Sequence, residues 1–313
     1  MSLPEVHDKE PGVPIPLKRV GVAGVKMPIG FVYFGGKPTI VVPSFSAFIN
    51  LPANQKGIHA SRNYEIITEV LGEFAGKTYK LEDVCSDIAK ELLKRHEYAD
   101  RSEVRAVGEA IVEKLTPKTE MVTYESCIIF ASALAKKDFE QKIKTKKRVG
   151  VKVGGITACP CAQEILKEEF NQKNLNQLGL SENLQKVLDE IPWATHMQRS
   201  YGIIVTEVPE GFKMDASKLV NIIEKSMSAP SYGLLKRTDE AEIVKRAVKN
   251  PRFVEDCVRF MMKNFAESFP NLPDDIVVKF KQRSFETIHK HDFVAERTIN
   301  LGEIRRELNL ESG

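Results

Sequence analysis

The chain has 313 residues, 42% hydrophobic and 28% charged, which is typical of one large or two medium folded domains and excludes disorder throughout. Its 46 lysines and arginines nearly balance 43 aspartates and glutamates, and a net charge of +3 argues against a nucleic-acid coat or a polybasic membrane binder. Five cysteines argue against a secreted disulfide scaffold, and neither a signal-peptide profile nor a membrane-length apolar run is present. We therefore expect a cytoplasmic protein that binds neither nucleic acid nor membrane.

The first half of the chain carries the patterns of two strands, two helices and two further strands. Four prolines within residues 1–16 disfavour a helix or a central strand and predict an extended N-terminal arm. Spaced valines and a Gly-Gly turn predict a long antiparallel pair between residues 17 and 51. The other elements predicted here are helices over 61–74 and 80–96 and strands over 102–115 and 121–139.

The second half repeats this order of elements without repeating the residues. The stretch 136–152 carries eight cations, and we interpret it as a solvated hairpin between the halves rather than as a nucleic-acid site. The halves are expected to be two units, 17–145 and 146–313, the second with a polar helical insertion at about 162–190. Its predicted elements are strands over 148–156, 196–208, 276–283 and 292–301 and helices over 215–227, 239–249 and 253–269. These blocks imply an α+β fold of antiparallel sheet with helices on one face, and oligomerisation is one way to cover the sheet's other face or edges.

The string T-A-C-P-C-A-Q-E (157–164) is the most unusual in the chain. Cys159 and Cys161 flank Pro160 where a strand is expected to end and a helix to begin, and proline suits the first turn of a helix. A cysteine at a helix N-terminus lies beside free N–H groups that favour its thiolate, the form that binds metals or attacks electrophiles. The alternative is two small apolar side chains in a turn, and two cysteines alone do not complete a zinc site.

The other cysteines and the histidines divide into structural and candidate residues. Cys85, Cys127 and Cys257 fall within apolar patterns and are interpreted as core residues. His289 and His291 would share one face of extended backbone, as an HxH metal pair requires, although each histidine taken singly is explained by structure.

Two acids in predicted helices also have alternative explanations. Asp239 and Glu242 fit a capping box, so Glu240 is equally well a first-turn acid. Glu255 lies on a helix flank, where a solvated acid is the default. If a cysteine, histidines and acids of the second half meet, they form a mixed site with an open position, which a hydrolytic metal requires.

Several strings together resemble the type IB GTP cyclohydrolase family, especially its archaeal Fe(II)-dependent branch in methanopterin biosynthesis. They are spread over nearly the whole chain in one order. The strings are V-H-D-K-E-P (6–11), G-I-H-A-S-R (57–62), V-G-V-K-V-G-G-I-T-A-C-P-C-A-Q-E (149–164), T-H-M-Q-R-S (195–200), L-L-K-R-T-D-E (234–240), N-P-R-F-V-E-D (250–256) and F-E-T-I-H-K-H-D (285–292).

The resemblance implies a tandem tunnelling fold, in which two β-β-α-α-β-β units per chain assemble with other subunits into barrels. It implies a homo-oligomer, dimer or tetramer, with active sites at subunit interfaces. The family's metal-site residues match Cys159, His196, His289 and Glu240, the last as a ligand or near-ligand acid. The catalytic residues implied are Cys159, His289 and Glu286, with His289 as the proton-transfer histidine. Glu255 matches the acid that anchors the guanine base. For the triphosphate, motif position and charge indicate Arg62, Arg199, Lys236 and Arg237.

The activity implied is hydrolysis of GTP at a cyclic amidine C–N bond, with Fe(II) as the metal and Zn(II) or Mn(II) as possible substitutes. The long insertion and the Ala-Gln after the cysteines match the archaeal branch, whose product is 7,8-dihydroneopterin 2′,3′-cyclic phosphate, rather than the bacterial branch, whose product is the triphosphate. A non-catalytic tunnelling-fold protein that binds a purine or pterin is the alternative from another class, and it would have a closed four-ligand site without a water position.

Overall fold

A computed structural model describes residues 6–27, 29–74, 77–178 and 191–310 of the chain. Within these residues lie twelve strands and seven helices. The strands are β1 (Leu17–Lys26), β2 (Ile29–Phe34), β3 (Lys37–Val41), β4 (Ser44–Leu51), β5 (Thr78–Tyr79), β6 (Arg101–Leu115), β7 (Val122–Lys137), β8 (Ile143–Ala158), β9 (Met197–Val208), β10 (Ala229–Pro230), β11 (Val277–Ser284) and β12 (Phe293–Asn300). The helices are α1 (Ala60–Glu73), α2 (Leu81–Arg95), α3 (Pro160–Leu178), α4 (Ala216–Ser226), α5 (Arg237–Lys249), α6 (Val254–Ser268) and α7 (Leu301–Glu307).

One long antiparallel sheet joins the two halves of the chain in the order β1-β4-β6-β7-β8-β9-β11-β12, with the short β10 beside β8. The halves meet where β7 pairs with β8, for example at Ala131 and Val149. The first half follows the order β1, β4, α1, α2, β6, β7, and the second follows β8, β9, α4, α6, β11, β12 with α3 and α5 added. The predicted α+β fold is therefore confirmed. The division into units 17–145 and 146–313 stays a prediction, because the sheet is continuous across it.

The helices cover one face of this sheet because the strands alternate apolar and polar side chains. In β6, Val104, Ala106 and Ala110 are buried, while Arg105 between them is exposed. Helix α2 packs on β6, β7 and β8, α4 packs on β8 and β9, and α6 packs on β11 and β12. Burial of apolar surface in this layer stabilises the fold by about 25 cal/mol for each Å² removed from water. Among the described residues, no helix has the length and apolarity needed to cross a membrane.

The predicted pair between residues 17 and 51 is correct only in part. Strand β1 does pair with β4, as at Val22 and Ala47, but β2 and β3 form a hairpin between them. This hairpin belongs to a second sheet, in the order β3-β2-β5. Its turn contains Gly35 and Gly36 at φ of 63° and 76°, a region that glycine enters without strain. The continuous strand expected over 39–51 is interrupted between Val41 and Ser44, where Pro43 has no N–H group to offer a neighbouring strand.

The turn after β7 confirms the hairpin predicted for the basic stretch. Asp138 Oδ1 accepts the backbone N–H groups of Glu140 and Lys142 at 3.0 Å each. Gln141 takes a positive φ of 59°. The cations before and after this turn therefore lie on neighbouring strands.

Helix α5 begins two residues earlier than predicted, at Arg237 instead of residue 239. Asp239 is the third helical residue, and its carboxylate accepts the N–H of Lys236 at 3.1 Å. Fully buried, Asp239 also accepts the N–H groups of Lys118 and Thr119 at 2.9 Å each. The predicted capping box of Asp239 and Glu242 is therefore wrong: Asp239 is the third helical residue and accepts the N–H of the N-cap residue Lys236, whose own side chain has no acceptor to complete the box.

The helical insertion expected at about 162–190 corresponds to α3, whose described part ends at Leu178. The remainder of the predicted range, 179–190, lies outside the described residues.

Candidate active site

A cavity of about 520 Å³ lies where β8 ends, β9 begins and β11 ends. The three strand ends lie side by side because neighbouring strands run in opposite directions. Ala158 at the end of β8 pairs with Met197 on β9, and Ser284 at the end of β11 pairs with Ser200 on β9. The starts of α3 and α6 complete the walls. Five of the residues predicted for the site line this cavity: Cys159, His196, Glu255, Glu286 and His289.

Cys159 is held between a strand and a helix by backbone contacts. Its N–H donates to the carbonyl of His196 at 3.1 Å, and its own carbonyl accepts the hydroxyl of Thr195 at 2.6 Å. Pro160 is the first residue of α3, as predicted. The cysteine sulfur is therefore presented where the free N–H groups of α3 supply partial positive charge. Cys161 is exposed and also lines the cavity.

Further hydrogen bonds fix the chain on both sides of Cys159. Ala158 donates its N–H to Ser228 Oγ at 3.1 Å and accepts the N–H of Arg252 at 3.0 Å. In the first turn of α3, the buried carboxamide of Gln163 donates to the carbonyls of Trp193 and Val248 at 3.1 and 2.7 Å. Hydrogen bonds to three other segments of the second half, around Trp193, Ser228 and 248–252, therefore fix the backbone on either side of the Cys159 thiol.

His196 belongs to a polar network at the back of the cavity. Its Nδ1 lies 3.0 Å from Gln198 Oε1 and 3.8 Å from Glu286 Oε2. Gln198 donates in turn to Glu286 Oε1 at 3.1 Å and to Thr157 Oγ1 at 3.3 Å. The side chain of His196 is 15% exposed and that of Glu286 only 5%, so the carboxylate faces the histidine in a largely dry setting. Within the described part of the chain, Nε2 of His196 has no hydrogen-bond partner.

Glu255 enters the cavity from the first turn of α6, where a carboxylate is favoured by the helix dipole. Arg252 precedes it and is fixed over the ring of Phe260, with 3.8 Å between the guanidinium carbon and the ring centroid. Its Nη1 donates to the carbonyl of Lys225 at 2.8 Å, and burial lowers the pKa of its guanidinium. Arg252 thereby positions the backbone that leads to Glu255.

His289 is exposed at the rim of the cavity and stacks on His291 at a centroid distance of 5.3 Å. The ring of Phe293 meets the edge of His289 at 5.8 Å. The two histidine rings are neighbours as expected, but the chain from 287 to 291 is bent rather than extended. The shared face predicted from strand alternation is therefore wrong in its backbone geometry.

Five other predicted site residues do not line this cavity. Glu240 is exposed in the first turn of α5. Arg199 is exposed on the uncovered face of the sheet, since its neighbours Gln198 and Ser200 are buried toward the helices. The remaining three, also exposed, are Arg62, Lys236 and Arg237. Across the described ranges, the structure shows no group of three or more His, Cys, Asp or Glu side chains arranged to hold a metal ion.

Sequence reasoning missed several residues that build this site, chiefly Gln198, Thr157 and Ser284. Thr157 on β8 and Ser284 on β11 share a hydrogen bond of 2.8 Å across β9, which lies between these strands. Gln198 carried a usable signal, because residues two apart on a strand share a face and His196 was already a candidate. No sequence signal indicated the role of the Gln163 carboxamide, because its partners lie 30 and 85 residues away in sequence.

Comparison of the whole architecture with solved structures identifies the fold. Uricase from Arthrobacter globiformis superposes with a TM-score of 0.53 over 91% of this chain and 93% of its own, at 8% sequence identity. A uricase from Bacillus fastidious superposes with a TM-score of 0.51 over 94% of this chain and 98% of its own, at 9% identity. The protein therefore has the tunnelling fold, and at such identities the likeness shows the fold alone.

Sequence relatives define the family more narrowly. A family model described as type I GTP cyclohydrolase folE2 matches residues 3–295. GTP cyclohydrolase MptA of Methanosphaera stadtmanae is 45% identical over 307 residues, 98% of each chain, and that of Methanocaldococcus jannaschii is 44% identical over 307 residues, 97% of each chain. The chain belongs to the type I GTP cyclohydrolase family. This confirms the resemblance seen in the sequence and the prediction of an enzyme.

Proposed function

We propose that this protein is a metal-dependent GTP cyclohydrolase that forms 7,8-dihydroneopterin 2′,3′-cyclic phosphate in the first step of a tetrahydromethanopterin-type pterin pathway. The observation that carries this proposal is the single cavity that brings together Cys159, His196, Glu255, Glu286 and His289. The relatives named GTP cyclohydrolase MptA support the substrate and the pathway.

The donor set suits Fe(II), with Zn(II) or Mn(II) as substitutes. A thiol and an imidazole are ligands for borderline divalent metals. The Nδ1 of His196 is engaged by Gln198, so its Nε2 is the nitrogen left to bind a metal. Cys159, His196 and His289 would hold the ion, with Glu240 as the fourth predicted ligand. A bound divalent metal supplies a water molecule of lowered pKa.

The residues of the chain then account for binding and proton transfer. Glu255 can accept hydrogen bonds from guanine N1–H and the 2-amino group, a donor pair that adenine does not have. His289, at the rim, has the proton-transfer chemistry suited to the imidazole ring of the base, and Glu286, which lies beside His196, is the second proposed proton carrier. Apolar side chains on the walls, such as Ile165, Ile288 and Phe293, provide surface for the purine ring. Hydration at C8, ring opening and loss of C8 as formate follow. The sugar then rearranges and the dihydropterin ring closes, and attack of the freed side-chain hydroxyl on the α-phosphate forms the cyclic ester and releases diphosphate.

We further propose that the protein is a homo-oligomer, dimer or tetramer, whose active sites lie between subunits. Glu240 and the four predicted phosphate-binding cations lie outside the cavity of their own chain, on exposed surface. A second subunit of the barrel could bring such residues to the cavity. Arg62, Arg199, Lys236 and Arg237 are the cations proposed for the triphosphate.

The decisive experiment is turnover of GTP without oxygen by protein reconstituted with Fe(II), with formate measured and the pterin identified by mass spectrometry. Formate together with the cyclic phosphate is the expected result. Formate together with dihydroneopterin triphosphate would overturn the product, and binding of GTP without formate release would overturn the activity. A Cys159→Ala variant should release no formate, whereas Cys85→Ala, which changes a fully buried cysteine on α2 in the first half of the chain, is the matched control.

A further inference from the structure

Gln198 lies between two residues of the proposed site and is 7% exposed. It follows His196 by two residues at the start of β9. Its carboxamide contacts three side chains on three different segments: His196, Glu286 and Thr157. A buried carboxamide with every contact on a functional residue calls for a role beyond packing.

The contacts fix which way the carboxamide points. The amide nitrogen of Gln198 faces Glu286 and donates to its Oε1 at 3.1 Å. The hydroxyl of Thr157 accepts from the same nitrogen at 3.3 Å. The carbonyl oxygen is then turned toward Nδ1 of His196, at 3.0 Å.

This orientation determines the tautomer of the histidine. Nδ1 of His196 faces the Gln198 carbonyl oxygen at 3.0 Å and a Glu286 carboxylate oxygen at 3.8 Å. Because both neighbours are acceptors, the neutral ring must carry its proton on Nδ1. Nε2 is left with a lone pair and no partner within the described part of the chain.

We propose that Gln198 is a positioning residue that holds His196 in its Nδ1–H tautomer and so keeps Nε2 available as a ligand. The use of Nε2 to bind a metal rests on the proposed function, whereas the tautomer follows from the contacts alone. Partners that fix the orientation and tautomer of a ligating histidine in this way change metal affinity when they are replaced. Glu286, anchored through Gln198, is held ready beside the same ring.

Two substitutions separate this role from a packing role. Gln198→Met keeps the approximate length of the side chain and removes all three hydrogen bonds, whereas Gln198→Glu loses the amide donor but keeps an acceptor for the Nδ1 proton. Gln282→Leu is the control, because Gln282 is a fully buried carboxamide on β11 with no hydrogen-bond partner for its side-chain atoms among the described residues. Each protein is prepared with ¹⁵N-labelled histidine and without metal.

The first measurement is the two-bond ¹⁵N–¹H spectrum of the histidine rings at pH 8, with His196 assigned by comparison with His196→Asn. The wild type, Gln198→Glu and Gln282→Leu should show the proton on Nδ1, and Gln198→Met should shift toward the Nε2–H form. A wild-type His196 that carries its proton on Nε2 overturns the inference, even if Gln198→Met cannot be purified. So does an unchanged tautomer in Gln198→Met.

The second measurement is Zn(II) affinity of the metal-free proteins in competition with a chromophoric chelator. Gln198→Met should bind Zn(II) about 10–100-fold more weakly than wild type. Gln198→Glu and Gln282→Leu should bind Zn(II) with nearly the wild-type affinity. Equal affinities in all four proteins overturn the positioning role. If wild type shows the Nδ1–H tautomer and the affinity pattern but releases no formate from GTP, the proposed activity fails while the positioning role stands.

Discussion

His96 and Glu82 are buried at opposite ends of α2, and each has a pKa displaced by its surroundings. His96 is fully buried, with Nδ1 3.0 Å from the Tyr98 hydroxyl and Nε2 2.9 Å from Asn63 Oδ1, and burial lowers its pKa from 6.5 to about 4. Glu82 is 3% exposed in the first turn, and burial raises its pKa from 4.5 to about 7. Both groups resist charging in the folded protein.

The two displacements have opposite effects on stability as the pH falls. Below pH 6.5 the unfolded chain protonates His96 while the folded chain does not until about pH 4, so the free energy of unfolding decreases. Folded Glu82 takes up its proton near pH 7 and unfolded Glu82 only near 4.5, so the free energy of unfolding increases over that interval. Each pKa differs from its ordinary value by about 2.5, which at about 1.4 kcal/mol per pH unit is worth about 3 kcal/mol.

In the wild type these two contributions should nearly cancel between pH 7 and 4.5, and single substitutions should reveal them. Relative to wild type, Glu82→Gln should lose about 3 kcal/mol of unfolding free energy over that interval, and His96→Gln should gain about 3 kcal/mol. Urea titrations followed by circular dichroism, at several pH values and one protein concentration, measure both. Profiles of the variants that run parallel to the wild type within about 0.5 kcal/mol would refute the assignment of these pKa values.

Three further results are expected. Gly150→Ala should destabilise the protein by about 1–3 kcal/mol in urea titration, because its Cβ would lie 2.5 Å from the backbone oxygen of Ile204 on β9. Glu255→Gln should lower kcat/KM for GTP about 10–100-fold, because a carboxamide donates where guanine also donates and the charged acceptor is lost. Asp239→Asn should speed hydrogen exchange of the Lys118 and Thr119 amides, whose N–H groups the Asp239 carboxylate accepts at 2.9 Å.

The first two of these have a matched comparison, and the third has an expected pH dependence. Gly154→Ala lies on the same strand as Gly150, but its Cβ would meet only Ser231 Oγ at 3.5 Å, so its cost should be smaller. Asp256, the acid next to Glu255, pairs with Arg259 at 2.8 Å instead of facing the substrate site. Asp256→Asn should therefore leave kcat/KM unchanged. For Asp239, hydrogen bonds from Thr119, Lys118 and Lys236 outweigh burial and lower the pKa to about 2, so the stabilisation it gives should persist above pH 4 and be lost toward pH 2. Equal effects of the two glycine substitutions, or of the two acid substitutions, would contradict the contacts assigned here.

The sequence allowed the strands and helices of the main sheet to be predicted because their patterns are local. Helix α2 was predicted within one residue at each end, since its apolar spacing is regular. The hairpin of β2 and β3 was missed because Ile40 and Val42 extend the apolar run of β4, and only Pro43 marks the break. The start of α5 was misplaced because Asp239 suits a position before the first turn as well as one inside it.

The site was predictable in its chemistry and not in its assembly. Cys159, His196 and His289 could be chosen by residue type and by family resemblance, and they do share a cavity. The network behind them depends on contacts such as Gln198 to Glu286, 88 residues apart, which no local pattern encodes. Glu240 lies away from the cavity, so its role as a metal ligand stays a prediction.

The two halves place their insertions at the same point in the order of elements. In the first half the hairpin of β2 and β3 follows β1, and in the second half α3 follows β8. Such a correspondence is what duplication and fusion of one ancestral gene would leave behind.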